Sequence, residues 1–358
     1  MTTPKIKAPF PYFGGKATVA DLIWERFGSI RNYVEPFFGS GAVLLSCPWP
    51  GHTETVNDAD GLLANFWRAL QADPAAVAQH ADYPVSELDL HARHAWLVQQ
   101  RADVTRLLAD PDWYDAKIAG WWVWGISQWI GSGWCATRGT PTHQPPRVTG
   151  SQGVHRKRPA LGGSGGYPHH GRGVHRQGLA EPGATDVWGA THRKIPHVSG
   201  TGGGIHRTTT ATALHAELTR LSQRLRRTRV ICGDFARILT PAVTTQHGLT
   251  AVLLDPPYDR TERADLYAVE SDTAHHARVW AWEHGDDPLL RIAYCGYDMG
   301  DVWPAGWVAV PWKAHGGYGN QGSGRGRANA QRECIWFSPH CIHLTPLEQL
   351  IATLEVQR

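Results

Sequence analysis

The sequence predicts an α/β fold: a mostly parallel, Rossmann-like sheet interrupted by one long insertion. Apolar runs of strand length alternate with amphipathic helical runs on both sides of residues 73–210. Several of these runs end in an acid or a glycine turn, and parallel strands deliver such residues to the carboxyl edge of a sheet, where open α/β folds bind ligands. A chain of 358 residues is long enough for one large α/β domain and a sizeable insertion.

The most informative stretch is Asp255-Pro256-Pro257-Tyr258, which follows the apolar run 250–254. The run indicates a buried parallel strand, and the prolines end it because they fix φ and lack a backbone donor. Asp255 and the Pro256 carbonyl can accept hydrogen bonds from an exocyclic amino group, while Tyr258 can stack on a flat ring. This combination predicts a site for an amino-bearing base. For the motif alone, a strand ending in an incidental Pro-Pro turn is the alternative.

A first glycine turn, Pro-Tyr-Phe-Gly-Gly-Lys at residues 11–16, comes before a helix predicted over residues 18–27. Its two glycines let the backbone approach a ligand closely, and Lys16 stands at the start of the helix. The turn lacks the upstream glycine and the following Ser or Thr of a Walker loop. By itself it is weak evidence for a site.

A second glycine turn, residues 35–41, lies between a short predicted strand and the start of a helix at Ala42. Strand, glycine turn and helix start form the first β-loop-α unit of a nucleotide-binding fold, with helix-start amides facing the ligand. Leu44 stands where a dinucleotide fingerprint requires its third glycine. The turn therefore favours a nucleoside ligand without a pyrophosphate over NAD.

Acids also end two other predicted strands. Asp58 ends the run 53–58, and an acid at the tip of a second strand can bind both hydroxyls of a ribose. Asp234 and Phe235 follow the predicted strand 229–232, where an acid and an aromatic ring can bond to and stack on an adenine. For each acid the alternative is a helix cap.

The insertion begins with a helical region, residues 73–131, in which tryptophans crowd residues 113–130. We expect these indole rings to form core rather than a ligand cage, although an exposed ring edge could stack on nucleic acid.

From about residue 137 to 210 the composition changes. Sixteen of the 39 glycines fall between Gly139 and Gly204, and ten Lys/Arg against two acids lie between Arg138 and Arg207. A four-residue phrase ending in His-Arg recurs at residues 153–156, 173–176, 190–193 and 204–207, and its irregular separations exclude a solenoid of constant period. We expect arginine-tipped loops that contact a polyanion; a disordered basic linker is the alternative.

The remaining runs complete the α/β pattern. Helices are predicted over residues 210–227, 273–284 and 344–356, a strand over 289–294, closing antiparallel strands over 307–310 and 333–337, and a basic glycine-rich loop over 316–327.

Six cysteines show neither a CxxC pair nor disulfide spacing, and their pattern with the histidines fits no zinc site, so we expect reduced thiols and no metal. The sequence has no apolar signal core and no run of about 18 apolar residues, which predicts a soluble, cytoplasmic protein without a membrane span.

Taken in chain order, these motifs resemble the D12 class of DNA adenine-N6 methyltransferases, the family related to the bacterial DNA adenine methylase. The matching parts are Tyr12 to Lys16, Glu35 to Gly41, Asn57-Asp58, Gly233-Asp234-Phe235, Asp255 to Tyr258 and Glu333 to Pro339. In that family the cofactor loop comes first, an inserted target-recognition region follows, and the Asp-Pro-Pro-Tyr motif comes last. The stretch 137–210 matches no recognition region of that family, so the target sequence stays open.

The resemblance implies a fold, a cofactor and roles. Residues 1–72 and 211–358 would form an S-adenosylmethionine-binding catalytic domain. Residues 73–210 would be the target-recognition region, helical over 73–136 and built of basic loops over 137–210. The residues expected to cradle S-adenosylmethionine are Tyr12, Lys16, Glu35, Phe38, Gly39 and Gly41, with Asp58 on its ribose and Asp234 and Phe235 on its adenine. The expected catalytic residues are Asp255, Pro256, Pro257 and Tyr258.

The expected partner is double-stranded DNA, contacted by Arg156, Arg158, Arg176, Arg193, Arg207, Arg325 and Arg327. The predicted reaction is site-specific methylation of adenine N6 with the base flipped out of the duplex. We expect a bacterial or phage enzyme of the kind found in restriction-modification systems; its oligomeric state stays open, with a monomer as one option. Two alternatives stay open: methylation of cytosine N4, whose amine has the same donor geometry, and a catalytically silent DNA-binding protein.

Overall fold

The computed structural model describes residues 6–12, 14–49, 51–129, 134–136, 205, 211–257, 273–298, 300, 302–312 and 332–343. In this part of the chain a seven-stranded sheet is flanked by helices. The strands are β1 (Asn32–Glu35), β2 (Thr53–Asp58), β3 (Thr228–Cys232), β4 (Thr250–Leu254), β5 (Leu290–Tyr297), β6 (Val308–Pro311) and β7 (Glu333–Phe337). Their order across the sheet is β3-β2-β1-β4-β5-β7-β6.

Strands β1 to β5 are parallel, and β7 is antiparallel to both of its neighbours. The sheet is therefore mixed but mostly parallel, which confirms the α/β prediction and is compatible with a Rossmann-like fold. From β1 the chain continues to β2 on one side, and from β4 it continues to β5 on the other, so the direction of the connections reverses between β1 and β4. A ligand crevice is expected at such a switch point, outside the carboxyl ends of the strands.

The helices are α1 (Ala20–Phe27), α2 (Ala42–Leu45), α3 (Gly61–Ala72), α4 (Pro74–Ala81), α5 (Glu87–Leu107), α6 (Ala116–Ile126), α7 (Ala211–Leu225) and α8 (Thr273–His284). The region predicted as wholly helical, 73–131, is divided into three helices. Side chains of Asp73, Ser86 and Asp115 each accept a backbone N–H in the first turn of the next helix and so cap the starts of α4, α5 and α6. Composition showed the helical region but not these breaks.

Hydrophobic residues are buried on both faces of the sheet. Tyr33 belongs to one cluster with Trp24 and Phe27, whereas its neighbour Val34 belongs to the other with Val252. This alternation follows from the two-residue period of a strand. All five residues of β4 are buried, as expected for a central parallel strand.

Helices α4 to α6 share the first of these cores with the sheet. The Trp122 ring lies 5.0 Å from Phe10 and 5.9 Å from Phe66, which are residues of the amino-terminal segment. Trp122, Trp124 and Trp129 are buried, so the prediction that these tryptophans form core is confirmed; Trp121 is half-buried. The helical region is thus packed into the sheet domain, and its role in target recognition stays a prediction.

The predicted helix 344–356, the basic loop 316–327 and the stretch 137–204 lie outside the described residues. In the described part of the chain, no helix is both long and apolar enough to cross a membrane.

Candidate active site

A cavity opens at the carboxyl edge of the sheet, at the ends of β1, β2 and β4. It encloses about 830 Å³ of empty space, part of it open to solvent. Eight of the residues predicted from sequence line it: Tyr12, Lys16, Glu35, Phe38, Gly39, Asp58, Asp255 and Pro257. Segments more than 200 residues apart in the chain therefore meet at one site.

The glycine turn after β1 needs its glycines. Gly39 and Gly41 have φ values of 49° and 66°, in the left-handed region that side chains rarely adopt. A Cβ atom would lie 2.8 Å from the Tyr12 ring at Gly39, and 2.6 Å from the Phe38 ring at Gly41. Gly41 does not itself line the cavity; it shapes the turn that does.

Asp58, at the end of β2, is fixed by backbone amides. One carboxylate oxygen accepts the Gly39 N–H at 3.0 Å, and the other accepts the Asp60 N–H at 2.9 Å. Burial raises the pKa of Asp58 to about 7, against the opposing effect of these two amides. Each oxygen keeps a second lone pair for a hydroxyl donor.

Asn57 joins the ends of three strands. Its side-chain amide donates to the carbonyl oxygens of Pro36 and Gly233, both at 3.0 Å. The loops after β1, β2 and β3 are therefore held in one arrangement. The resemblance included Asn57 beside Asp58 without a role, and the structure supplies one.

Asp255, at the end of β4, pairs with Lys16. The Lys16 ammonium donates to both carboxylate oxygens, at 2.7 and 2.9 Å, and to the Gly14 carbonyl at 2.7 Å. Burial raises the pKa of Asp255, and the adjacent ammonium opposes that shift. Burial by itself would lower the pKa of Lys16, but the pull of Asp255, Cys295 and Glu333 outweighs it and raises that pKa.

Glu35, at the end of β1, accepts a hydrogen bond from the Tyr33 hydroxyl at 2.9 Å. Burial raises the pKa of Glu35 well above its ordinary value, and the hydrogen bond from Tyr33 opposes the shift. Tyr33 is held by stacking on Trp24, with ring centroids 5.0 Å apart. The Glu35 carboxyl group is therefore oriented from within the core.

Asp234 and Phe235 do not line the cavity. The Asp234 carboxylate accepts the Ala236 N–H and caps the 3-10 turn Phe235–Ile238. This is the capping role that the sequence left open as the alternative for Asp234. Phe235 lies 5.2 Å from Phe37, a residue that does line the cavity. Their proposed contact with an adenine stays a prediction.

Sequence reasoning missed several cavity residues: Phe37, Ser40, Asp60 and Thr273. Asp60 accepts the Leu62 N–H as cap of α3 and pairs with Arg101 on α5 at 2.7 Å. An acid just before a helical run could have indicated this cap. Arg101 gave no such signal, because it lies 41 residues away in the chain.

Tyr258 and all seven predicted DNA-contacting arginines lie outside the described residues. Pro256 is described and buried, but it does not line the cavity.

The fold and the site define an α/β domain whose cavity joins a glycine turn, an acid at the end of the second strand and an Asp-Pro-Pro strand end. Residues 12–99 match the family model of the D12 class N6 adenine-specific DNA methyltransferases, which confirms the resemblance over that segment. The match covers the glycine turns from Tyr12 onward and Asp58, extends into the helical part of the insertion, and ends before Asp255. A search of curated proteins finds no match.

Proposed function

We propose that this protein transfers a methyl group from S-adenosylmethionine to N6 of adenine at specific sites in double-stranded DNA. The observation that carries the proposal is the meeting of Asp255 and Pro257 with Gly39 and Asp58 in one cavity. A group that can accept hydrogen bonds from an amino group thus lies beside a turn suited to a nucleoside.

The cavity residues fit such a cofactor. The carboxyl groups in the lining are those of Glu35, Asp58, Asp60 and Asp255, and Lys16 is already paired with Asp255. Asp60 is likewise paired with Arg101. Glu35 and Asp58 are the two lining acids outside these ion pairs, and they suit a ligand that carries a sulfonium and an ammonium group. Asp58 would hold the ribose hydroxyls, and the turn at Gly39 admits close approach of the ligand to the backbone.

The chain's part in the chemistry is to hold the amino group of the base. When bound, S-adenosylmethionine supplies an electrophilic methyl group, whose transfer leaves a neutral thioether while the amino nitrogen gives up one proton to solvent. The lone pair of N6 is delocalised into the ring, so the free amine is a poor nucleophile. Asp255 and the Pro256 carbonyl would each accept a hydrogen bond from one N–H of this amine and so favour a tetrahedral nitrogen. The rate enhancement would come from alignment and preorganised dipoles.

A base inside a duplex cannot reach this cavity, so the reaction requires it to be flipped out. In the proposal Tyr258 stacks on the flipped base, and the arginines of residues 137–210 and 316–327 contact the DNA.

The test is to incubate unmodified double-stranded DNA with purified protein and S-adenosylmethionine and to analyse its nucleosides by mass spectrometry. N6-methyladenine is the expected product, and Asp255→Ala should abolish it while DNA affinity changes by no more than a few fold. Loss of DNA binding in this variant would contradict the proposed division of labour.

The same experiment separates the alternatives. N4-methylcytosine would leave the mechanism unchanged and alter the substrate base. Absence of any methylated base, although the protein binds S-adenosylmethionine and DNA, would support the silent DNA-binding protein.

A further inference from the structure

Lys16 and Asp255 form a pair in which the acid is the more accessible partner. The Lys16 side chain is 2% exposed and the Asp255 side chain is 22% exposed. The lysine donates to both carboxylate oxygens of Asp255 and to the Gly14 carbonyl. An ammonium group has three donors, so these contacts commit it to the protein rather than to a ligand.

Further groups surround this pair. Cys295 on β5 and Glu333 on β7 act electrostatically on Lys16, and Glu35 on β1 interacts with Asp255. The Trp312 ring, after β6, lies 5.4 Å from the Lys16 ammonium. Among the described residues, the Lys16–Asp255 pair thus interacts with two further carboxyl groups, Glu35 and Glu333, and with the Cys295 thiol.

We infer that Lys16 is a positioning residue for methyl transfer: it fixes the Asp255 carboxylate as an ionised acceptor for the target amino group and does not hold the cofactor. The inference rests on the proposed function. It also replaces the role in the cofactor cradle that the family resemblance implied for Lys16.

The physical reason is that a carboxylate has about four lone-pair sites, so Asp255 can accept two bonds from Lys16 and still accept one from an amino N–H. Without the ammonium, Asp255 would lose the charge and the hydrogen bonds that oppose the effect of its burial. The acid would then be protonated over a wider pH range, and a protonated oxygen would present a hydrogen to the N–H that it should accept. Removing Lys16 is therefore expected to impair the reaction step.

The test compares Lys16→Met, Asp255→Asn and the double variant. The control is Lys117→Met, a lysine on α6 that contacts Trp96 and Trp121 instead of the cavity. Lys16→Met should lower the single-turnover methylation rate by about 100-fold, the scale of losing one preorganised polar contact, while the dissociation constant of S-adenosylmethionine changes by less than about 3-fold. The double variant should be no slower than Asp255→Asn, because Lys16 acts through Asp255.

The pH profile supplies a readout that a purely structural lysine would not change. In Lys16→Met the rate should rise with pH in a range where the wild-type rate is flat, because Asp255 must first lose its proton. An unshifted profile would overturn the inference. The inference would also be overturned if Lys16→Met lowered cofactor affinity by the same large factor in the wild-type protein and in Asp255→Asn, since Lys16 would then hold the cofactor.

Thermal unfolding distinguishes failure of this inference from failure of the proposed function. If the pair exists, the double variant should melt above Lys16→Met, because it removes the carboxylate that Lys16→Met leaves buried without its partner. Additive losses in melting temperature would overturn the pairing itself. The variants could show this coupling in melting temperature while the wild-type protein neither binds S-adenosylmethionine nor methylates DNA. That result would reject the proposed function, and with it the role of Lys16 in methylation.

Discussion

At the residue scale, the site depends on groups whose protonation and backbone conformation are set by their neighbours. Asp58 lines the cavity and is expected to bind the ligand, and its pKa is about 7, so it titrates in the neutral range. In the folded state a raised pKa favours the protonated form. Stability from this group is therefore greatest at low pH and is lost as pH rises through about 7.

Cofactor binding should show the opposite pH dependence at Asp58. An ionised carboxylate accepts ribose hydroxyls more strongly than a neutral one, so affinity for S-adenosylmethionine should rise with pH and level off above about pH 7. Asp58→Asn should flatten this dependence and weaken binding about 10-fold at high pH. The NH₂ group of the new asparagine would face one of the two backbone N–H groups, and two donors cannot form a hydrogen bond. Calorimetric titrations across the pH range measure both effects, with Asp21→Asn as control. A wild-type affinity that does not vary with pH would contradict the assignment.

The glycine turn gives a second residue-scale prediction. Gly39→Ala combines a strained positive φ with a clash against the Tyr12 ring, whereas Gly300→Ala has positive φ but nothing within 4 Å of the new Cβ atom. We expect Gly300→Ala to lower the free energy of unfolding by about 1 kcal/mol and Gly39→Ala by about 3 kcal/mol. Gly39→Ala should also weaken cofactor binding. Urea denaturation measures the difference, and equal losses would show that the clash is relieved without cost.

At the element scale, Glu54 on β2 connects several elements. It accepts two hydrogen bonds from Arg224 on α7, at 2.8 and 2.9 Å, and one from the hydroxyl of Thr228 on β3. Arg224 also donates to the Leu44 carbonyl of α2. Burial would raise the pKa of Glu54, but the bonds from Arg224 and Thr228 and the nearby His52 lower it to about 2.

Glu54→Gln should therefore destabilise the protein, by about 3 kcal/mol at neutral pH, because it leaves the Arg224 guanidinium without its counter-ion. A lowered folded-state pKa contributes stability above the ordinary value of 4.5, and this contribution is lost as pH falls toward 2. The difference between wild type and variant should accordingly shrink in acid. Denaturation at about pH 7 and about pH 4 provides the comparison. A difference that stays constant with pH would mean that the charge of Glu54 contributes little.

At the scale of the whole molecule, helices α4 to α6 and the sheet share one hydrophobic core, so they should unfold together. Leu97→Ala on α5 removes a side chain that is 0% exposed and should cost about 2–5 kcal/mol in the free energy of unfolding. Leu88→Ala on the same helix alters a side chain that is 80% exposed and should change stability by less than about 0.5 kcal/mol. One transition, seen alike by tryptophan fluorescence and circular dichroism, is expected. Two separate transitions would show that the helical region folds independently.

The proposed role of the basic segment leads to a deletion experiment. Trp134, Cys135 and Ile205 are buried in the core, so a deletion should spare them. Replacing residues 140–200 by a Gly-Ser linker removes eight Lys/Arg and two acids. We expect weaker DNA binding with a flatter salt dependence, by about 0.9 in the logarithmic slope for each lost phosphate contact. Cofactor affinity should not change. An unchanged slope would favour the alternative that this segment is a basic linker without DNA contacts.

Much of the fold could be predicted from sequence, because strand and helix periods are local properties of the chain. β4 spans the predicted run 250–254, and α8 spans the predicted 273–284. The breaks within 73–131 were missed, because a cap depends on which backbone N–H an Asp or Ser side chain accepts. Hydrophobic content does not carry that information.

For the site, the sequence by itself determined which chemical groups are present and at which strand ends they lie: the glycine turn, Asp58 and the Asp-Pro-Pro motif. Only the tertiary structure decided their partners. The pairing of Lys16 with Asp255 spans 239 residues, and that of Arg101 with Asp60 spans 41. Such contacts arise from sheet order and helix packing, which bring distant segments within hydrogen-bond reach. No local pattern in the sequence encodes them.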